Sequence, residues 1–119
     1  MLTEAQADQF LDLPYPAWVF DTETLAFLAV NDAAIAHYGY SRDRFLEMTL
    51  LDIRPGEDVQ RVRDIVSNSN HQPSADGPWR HITASGDIIF VETLASSVIF
   101  DGRPARVVLI VDITQRITS

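Results

Sequence analysis

The sequence has no cysteine. That removes disulfides, a thiolate nucleophile and any zinc site built on sulfur, and it fits a reducing compartment. Basic residues are few: 9 Lys and Arg stand against 17 Asp and Glu, for a net charge of −8. Direct nucleic-acid binding needs a basic footprint that releases counterions, and this chain lacks one. No window reaches the apolar length of a membrane span, and no basic-then-apolar leader opens the chain. A soluble, cytoplasmic domain is the expectation. Also missing are a glycine-rich phosphate loop, a G-x-S-x-G elbow and an H-E-x-x-H pair, so the chain is expected not to be an enzyme by itself. What is present is 46% hydrophobic residues in a 119-residue chain, enough for one core in one domain. No repeat or low-complexity tract interrupts it.

The organising stretch runs from Val30 to Ser41. There an apolar run, Leu25 to Val30, gives way to helix chemistry. Asn31 is a good N-cap, Asp32 suits the positive end of a helix dipole, and Gly39 suits the left-handed position that ends a helix. Ser41 then caps a second helix. A strand and two short helices packed this tightly make a crossover able to wall off a small cavity against a sheet.

Upstream, Thr3-Glu4-Ala5-Gln6 has the form of a capping box, so a helix is expected to about Leu13, before Pro14. Ala7, Phe10 and Leu11 share one face, opposite Asp8 and Asp12. This face is expected to dock on the outside of the sheet or on a partner. Ala17 to Phe20 and Leu25 to Val30 read as a hairpin around the polar turn Asp21-Thr22-Glu23-Thr24. Phe45, Leu46 and Met48 give the Ser41-capped helix its apolar side. Residues 50 to 56 break the pattern, and Glu57 and Asp58 open another helix carrying Val59, Val62, Ile65 and Val66 at helical spacing. Asn68 to Gly77, polar and holding Pro73 and His71, is expected to be a mobile, solvated loop.

The last third is strand-like. Trp79 to Thr83 alternates, Ser85-Gly86-Asp87 turns, and Ile88 to Phe100 is a long β-type run. Asp101-Gly102 is a strong hairpin turn before the nearly apolar Arg106 to Ile113. Strands, then helices, then three antiparallel strands make an α+β pattern with helices on one face of a sheet. Val107 to Val111 lacks polar alternation, so that strand is expected to be covered on both faces. One cover is the crossover; the other is the N-terminal helix or a second subunit.

Phe20-Asp21, Val30-Asn31-Asp32-Ala33-Ala34, Gly39-Tyr40-Ser41, Asp52-Ile53-Arg54-Pro55-Gly56-Glu57-Asp58, Trp79-Arg80-His81, Ser85-Gly86 and Asp112-Ile113-Thr114 stand in the order and spacing of a PAS domain. The resemblance covers residues 14–116, leaving 1–13 as a flanking helix and 117–119 as the start of an output linker. It implies the PAS fold, a five-stranded antiparallel sheet in the order 2-1-5-4-3 with short helices over its concave face. It also implies a sensory module of signal transduction, as in two-component systems. Its output would be a C-terminal effector: a sensor histidine kinase, a diguanylate cyclase or a transcription regulator. Asp112 and Thr114 would carry the signal out. Two positions depart from the family: Ser85 stands where aspartate is commoner, and His37 where many members have leucine.

The resemblance turns Trp79, His81 and Thr83 toward the cavity, with Val91, Thr93, Ala95, Val108 and Ile110 from the neighbouring strands. Ala34, His37, Phe45, Met48, Val62 and Ile65 are the candidate helix walls. The pocket so composed is apolar with a few polar groups, His37, His81, Thr93 and Tyr40, as small-ligand sites are. Each polar group also has a purely structural use, and Trp79 either lines the cavity or fills it. Without cysteine, neither a flavin–thiol adduct nor a thioester-linked chromophore forms. Haem is disfavoured, because residues 57–67 hold no histidine and only His37 or His81 remain as ligands. Non-covalent flavin stays open; no carboxylate cluster suggests a metal. The competing function is a ligand-free interaction module, dimerising through the N-terminal helix and the outer sheet face.

Overall fold

The structure is a computed structural model that describes residues 1–68 and 72–118. Helix α1 (Glu4–Leu11) leads into the hairpin β1 (Ala17–Asp21) and β2 (Phe27–Val30). Short helices α2 (Asp32–Tyr38) and α3 (Arg42–Glu47), two 3-10 turns and α4 (Val59–Asn68) come next. Strands β3 (Ser74–Ile82), β4 (Ile88–Phe100) and β5 (Arg103–Asp112) complete the sheet, and α5 (Thr114–Thr118) leaves it. The five strands lie in the order β2-β1-β5-β4-β3, and every pairing is antiparallel. This is the α+β architecture and strand order expected. No helix among the described residues is long and apolar enough to cross a membrane.

The termini of these elements obey their chemistry. Thr3 and Gln6 form the reciprocal capping box of α1, which stops at Leu11, two residues short of the expected end. Gly39 ends α2 at φ +85°, where a side chain would be strained. A Cβ there would also lie 3.3 Å from that of Ala84. Asp101 and Gly102 both take positive φ, as a tight two-residue hairpin turn requires.

Asn31 ties the crossover together. Its carbonyl oxygen accepts from the amides of Ala34 (2.9 Å) and Ala17 (3.0 Å). Its amide nitrogen donates to the carbonyls of Tyr15 (2.7 Å) and Leu13 (3.3 Å). One buried side chain thus caps α2, fixes the start of β1 and holds the segment arriving from α1.

Two expectations need correction. Phe27, not Leu25, starts β2: Leu25 has φ +65°, and its N–H bonds back to Asp21 in the turn. Ser74 to Gly77 is not loop but the first half of β3, pairing with residues of β4 from Thr93 to Ala95. Polar side chains hid it, because an edge strand needs only one apolar face and Gly77 breaks the alternation. Gly77 has φ +138°, and a Cβ there would meet the Val91 carbonyl oxygen at 3.0 Å. His71 lies outside the described residues.

The middle of the sheet is covered on both sides, but the end of the apolar run expected to be covered is not: Val111 is 39% exposed. Trp18, Phe20, Phe27, Val91, Val108 and Ile110 face the helices. On the outer side, Ala7, Phe10 and Leu11 of α1 pack on Val19, Val98, Ala105 and Val107. Helix α1 therefore covers its own sheet, and Val107 and Val108 are both buried.

Asn31→Ala removes the cap, strands the buried amide of Ala17 and leaves the Tyr15 carbonyl without this partner, so it is expected to cost about 2–4 kcal/mol in urea unfolding. A loss well below about 1 kcal/mol would show that the amide is not the tie described.

Candidate functional site

Beneath the centre of the sheet lies a cavity of about 60 Å³, room for several water-sized groups. Trp18 and Phe20 of β1, Arg106 and Val108 of β5, Thr93 and Ala95 of β4, and Ser74, Asp76 and Trp79 of β3 form its sheet side. Leu50, Arg54, Val62, Ile65 and Val66 form the helical side. The wall is mostly apolar, with two guanidinium groups and one carboxylate.

Among the residues singled out from sequence, Trp79, Thr93, Ala95, Val108, Val62 and Ile65 stand on this wall. The others do not. Phe45, Met48, Val91 and Ile110 are buried in the core beside it. An aromatic cluster fills the space they were expected to enclose: the Trp18 ring lies 5.2 Å from Phe27, 5.4 Å from Tyr38 and 6.3 Å from Phe45. Tyr40 donates its hydroxyl to the Ile82 carbonyl (2.7 Å).

His37 is not a cavity wall. Helical spacing sends Ala34 and Tyr38 inward, four residues apart, and leaves His37 at the rim with its side chain 37% exposed. Its Nε2 meets Asp112 Oδ2 at 2.7 Å. The other oxygen of Asp112 accepts from the Thr114 amide (2.8 Å) and hydroxyl (2.6 Å). Thr114 Oγ1 in turn accepts from the Phe90 amide (2.9 Å). Burial pushes the Asp112 carboxyl up, but Thr114 and His37 outweigh it and hold it below its usual value. The end of β5 is thereby latched to α2, to β4 and to the start of α5.

His81 is completely buried and shares a 2.6 Å hydrogen bond between Nδ1 and the Tyr38 hydroxyl. Burial, helped by the positive charge of Arg54, pushes the imidazole well below its usual value, so it stays neutral. Its Nε2 has no partner, nor have Trp18 Nε1 and the Nε and Nη1 atoms of Arg54.

Sequence reading missed Tyr38, Arg54 and Arg106. Arginines at these places read as surface charge, yet Arg54 is 9% exposed and Arg106 3%. Arg54 sits before Pro55, which holds its backbone extended (φ −119°, ψ 145°), and its guanidinium lies 5.0 Å from the Trp79 ring centre. Arg106 is held by Ser97 Oγ (2.8 Å), Ser74 Oγ (2.9 Å) and the Ala95 carbonyl (3.2 Å). Among the described residues no three His, Asp or Glu gather as metal ligands would.

A sheet in this order, closed over a small cavity by short helices and ended by a latched Asp-Ile-Thr, agrees with the comparisons to known proteins. The family model described as PAS domain matches residues 14–115. The chain belongs to the PAS domain family. Solved PAS domains share its fold. That of an HTR-like protein from Haloarcula marismortui superposes with a TM-score of 0.76 at 18% identity, covering 92% of this chain and 89% of that one. A PAS domain from a two-component sensor histidine kinase gives 0.69 at 22%, covering 91% and 93%. That of nitrogen regulation protein NR(II) from Vibrio parahaemolyticus gives 0.64 at 16%, covering 91% and 97%. No curated protein matches this PAS domain in sequence.

The neutral His81 has a consequence for pH. The unfolded chain takes a proton on this histidine near its ordinary value of about 6.5 while the folded PAS domain does not. Its contribution is therefore complete above that pH and declines below it, by roughly 1 kcal/mol per pH unit. Urea unfolding of the wild type between pH 7 and 5 is expected to show this slope, and His81→Gln to flatten it. Parallel curves would contradict a buried neutral imidazole.

Proposed function

We propose that this PAS domain is a sensory input module. A small molecule occupies the cavity, and its presence changes how β5 packs and hence how the chain leaves through α5. The observation that carries the reading is that one strand serves both ends. Arg106 and Val108 of β5 are cavity wall, and β5 ends at Asp112, whose carboxylate holds Thr114 and His37. An occupant touching Arg106 or Val108 acts on the strand that positions α5. A ligand shifts such an equilibrium only by its differential affinity for the two packings, typically about 1–3 kcal/mol. That suffices to change output several-fold. The effector is expected C-terminally, in a histidine kinase, a diguanylate cyclase or a transcription regulator. The cavity's size favours ligands much smaller than haem or flavin. His37 adds to the latch a contact that the leucine common in the family does not offer.

A second reading, a module that associates without a ligand, draws support from the outer sheet face. There Leu94 is 50% exposed and Val111 39%, on adjoining strands beside α1. A second copy of the chain is the partner this reading names. Sedimentation across a concentration range distinguishes the two: a dimer lost in Leu94→Glu, with no small molecule bound, favours the second.

Asp112→Ala tests the first. In the full-length parent it is expected to reduce signal-dependent output at least five-fold while the domain keeps its ligand, because the latch lies outside the cavity wall. Equal loss of binding and output would contradict transmission through Asp112.

A further inference from the structure

The cavity wall carries a buried cation whose hydrogen-bond donors are not satisfied. Arg54 is more than nine-tenths buried, and its Nε and Nη1 donate to nothing. The nearby carboxylate makes no hydrogen bond to it: both oxygens of Asp58 accept from Arg80, at 3.0 Å and 2.8 Å, and only the charge of Asp58 reaches Arg54. Tyr38, the other polar group close by, is committed to His81. Burial brings the Arg54 guanidinium down to about 10, still charged at neutral pH. Leaving buried guanidinium donors without acceptors is costly, and natural structures supply a partner.

The rest of the wall says what kind. Trp18 stands on the wall of the same cavity, and its Nε1 is a second buried donor without a partner. His81 Nε2 is unpartnered in the adjoining core, with its ring 5.7 Å from that of Trp18. In the tautomer in which Nδ1 accepts from Tyr38, Nε2 carries the ring proton and is a third donor. Asp76 is the one carboxylate on the wall and Arg54 and Arg106 its two cations, so the wall is net positive. Phe20, Leu50, Val62, Trp79 and Val108 supply an apolar remainder. An occupant complementary to this lining has an anionic, acceptor-only head and a short apolar body.

Resting on the reading that the cavity binds a ligand, we propose that it takes a small carboxylate, with the carboxylate head on Arg54 and Trp18 Nε1 and the apolar body against Val62 and Val108. A guanidinium N–H gives a carboxylate a charge-assisted hydrogen bond, shorter and stronger than one to a neutral acceptor. Inorganic phosphate has no apolar part to fill the remainder.

The test uses the isolated domain and the indole N–H resonances of its two tryptophans, assigned with Trp18→Phe. Acetate, propionate, butyrate and pyruvate are titrated beside their isosteric amides and inorganic phosphate. The expected result is a saturable downfield shift of the Trp18 indole proton with at least one acid, binding at least tenfold more tightly than its amide and than phosphate. Arg54→Met is expected to weaken that acid at least tenfold, and Arg54→Lys less. If Arg54→Met does not fold, the acid–amide comparison on the wild type decides. Equal affinity for acid and amide, or an acid bound equally by Arg54→Met, overturns the assignment of an anion and leaves the small-ligand reading standing. No shift with any acid also overturns it; if no small apolar or polar neutral molecule binds either, the small-ligand reading falls with it.

Discussion

The arrangement depends on the Asn31 side chain. Four backbone groups from three stretches of chain converge on one amide, and no other residue type offers two acceptor sites and two donors in that small a volume. It fixes where β1 begins, where α2 begins and how the segment after α1 enters. From there the covalent geometry of a seven-residue helix and the glycine stop at Gly39 put Tyr38 under the sheet and send the chain on to α3. Even so, the helices leave part of the inner face of the sheet unfilled.

The shortfall divides the interior in two. Toward α2 and α3 the aromatic rings of Trp18, Phe27, Tyr38 and Phe45 interlock at 5.2 to 6.3 Å, and that half is solid. Toward α4 the packing stops, and the guanidiniums of Arg54 and Arg106 face the gap instead of more aliphatic side chains. A protein optimised only for stability would bury hydrophobes there. In the proposed function the polar lining gives specificity for an occupant, and β5, running from the gap to the Asp112 latch, is the route by which occupancy is felt.

Much of this was legible in the sequence, because caps and turn glycines act locally. Asn31, Gly39, Ser41 and the Thr3–Gln6 box each announce a terminus without reference to the rest of the chain. The strand order and the inward direction of Trp79, His81, Thr93 and Val108 came from the resemblance carried by the spaced motifs, and alternation put Trp79 and His81 on one face of their strand. The illegible parts were those decided by tertiary context. Ser74 to Gly77 is a strand only because β4 offers an edge to pair with. His37 left the cavity because the neighbouring Tyr38 took the inward position, and its partner Asp112 is 75 residues away. Arg54 and Arg106 carry the charge that defines the cavity, yet an arginine in a sequence reads as solvated surface until its burial is seen.

In the proposed function the cavity is an occupied sensory site. Native mass spectrometry of the domain purified from cells in a volatile, non-carboxylate buffer, repeated after denaturation, tests it most directly. The expected result is a small mass excess in the native spectrum that disappears on denaturation and is absent from Arg54→Met. A native mass equal to the bare chain, in a domain whose thermal midpoint no small molecule raises, would contradict it.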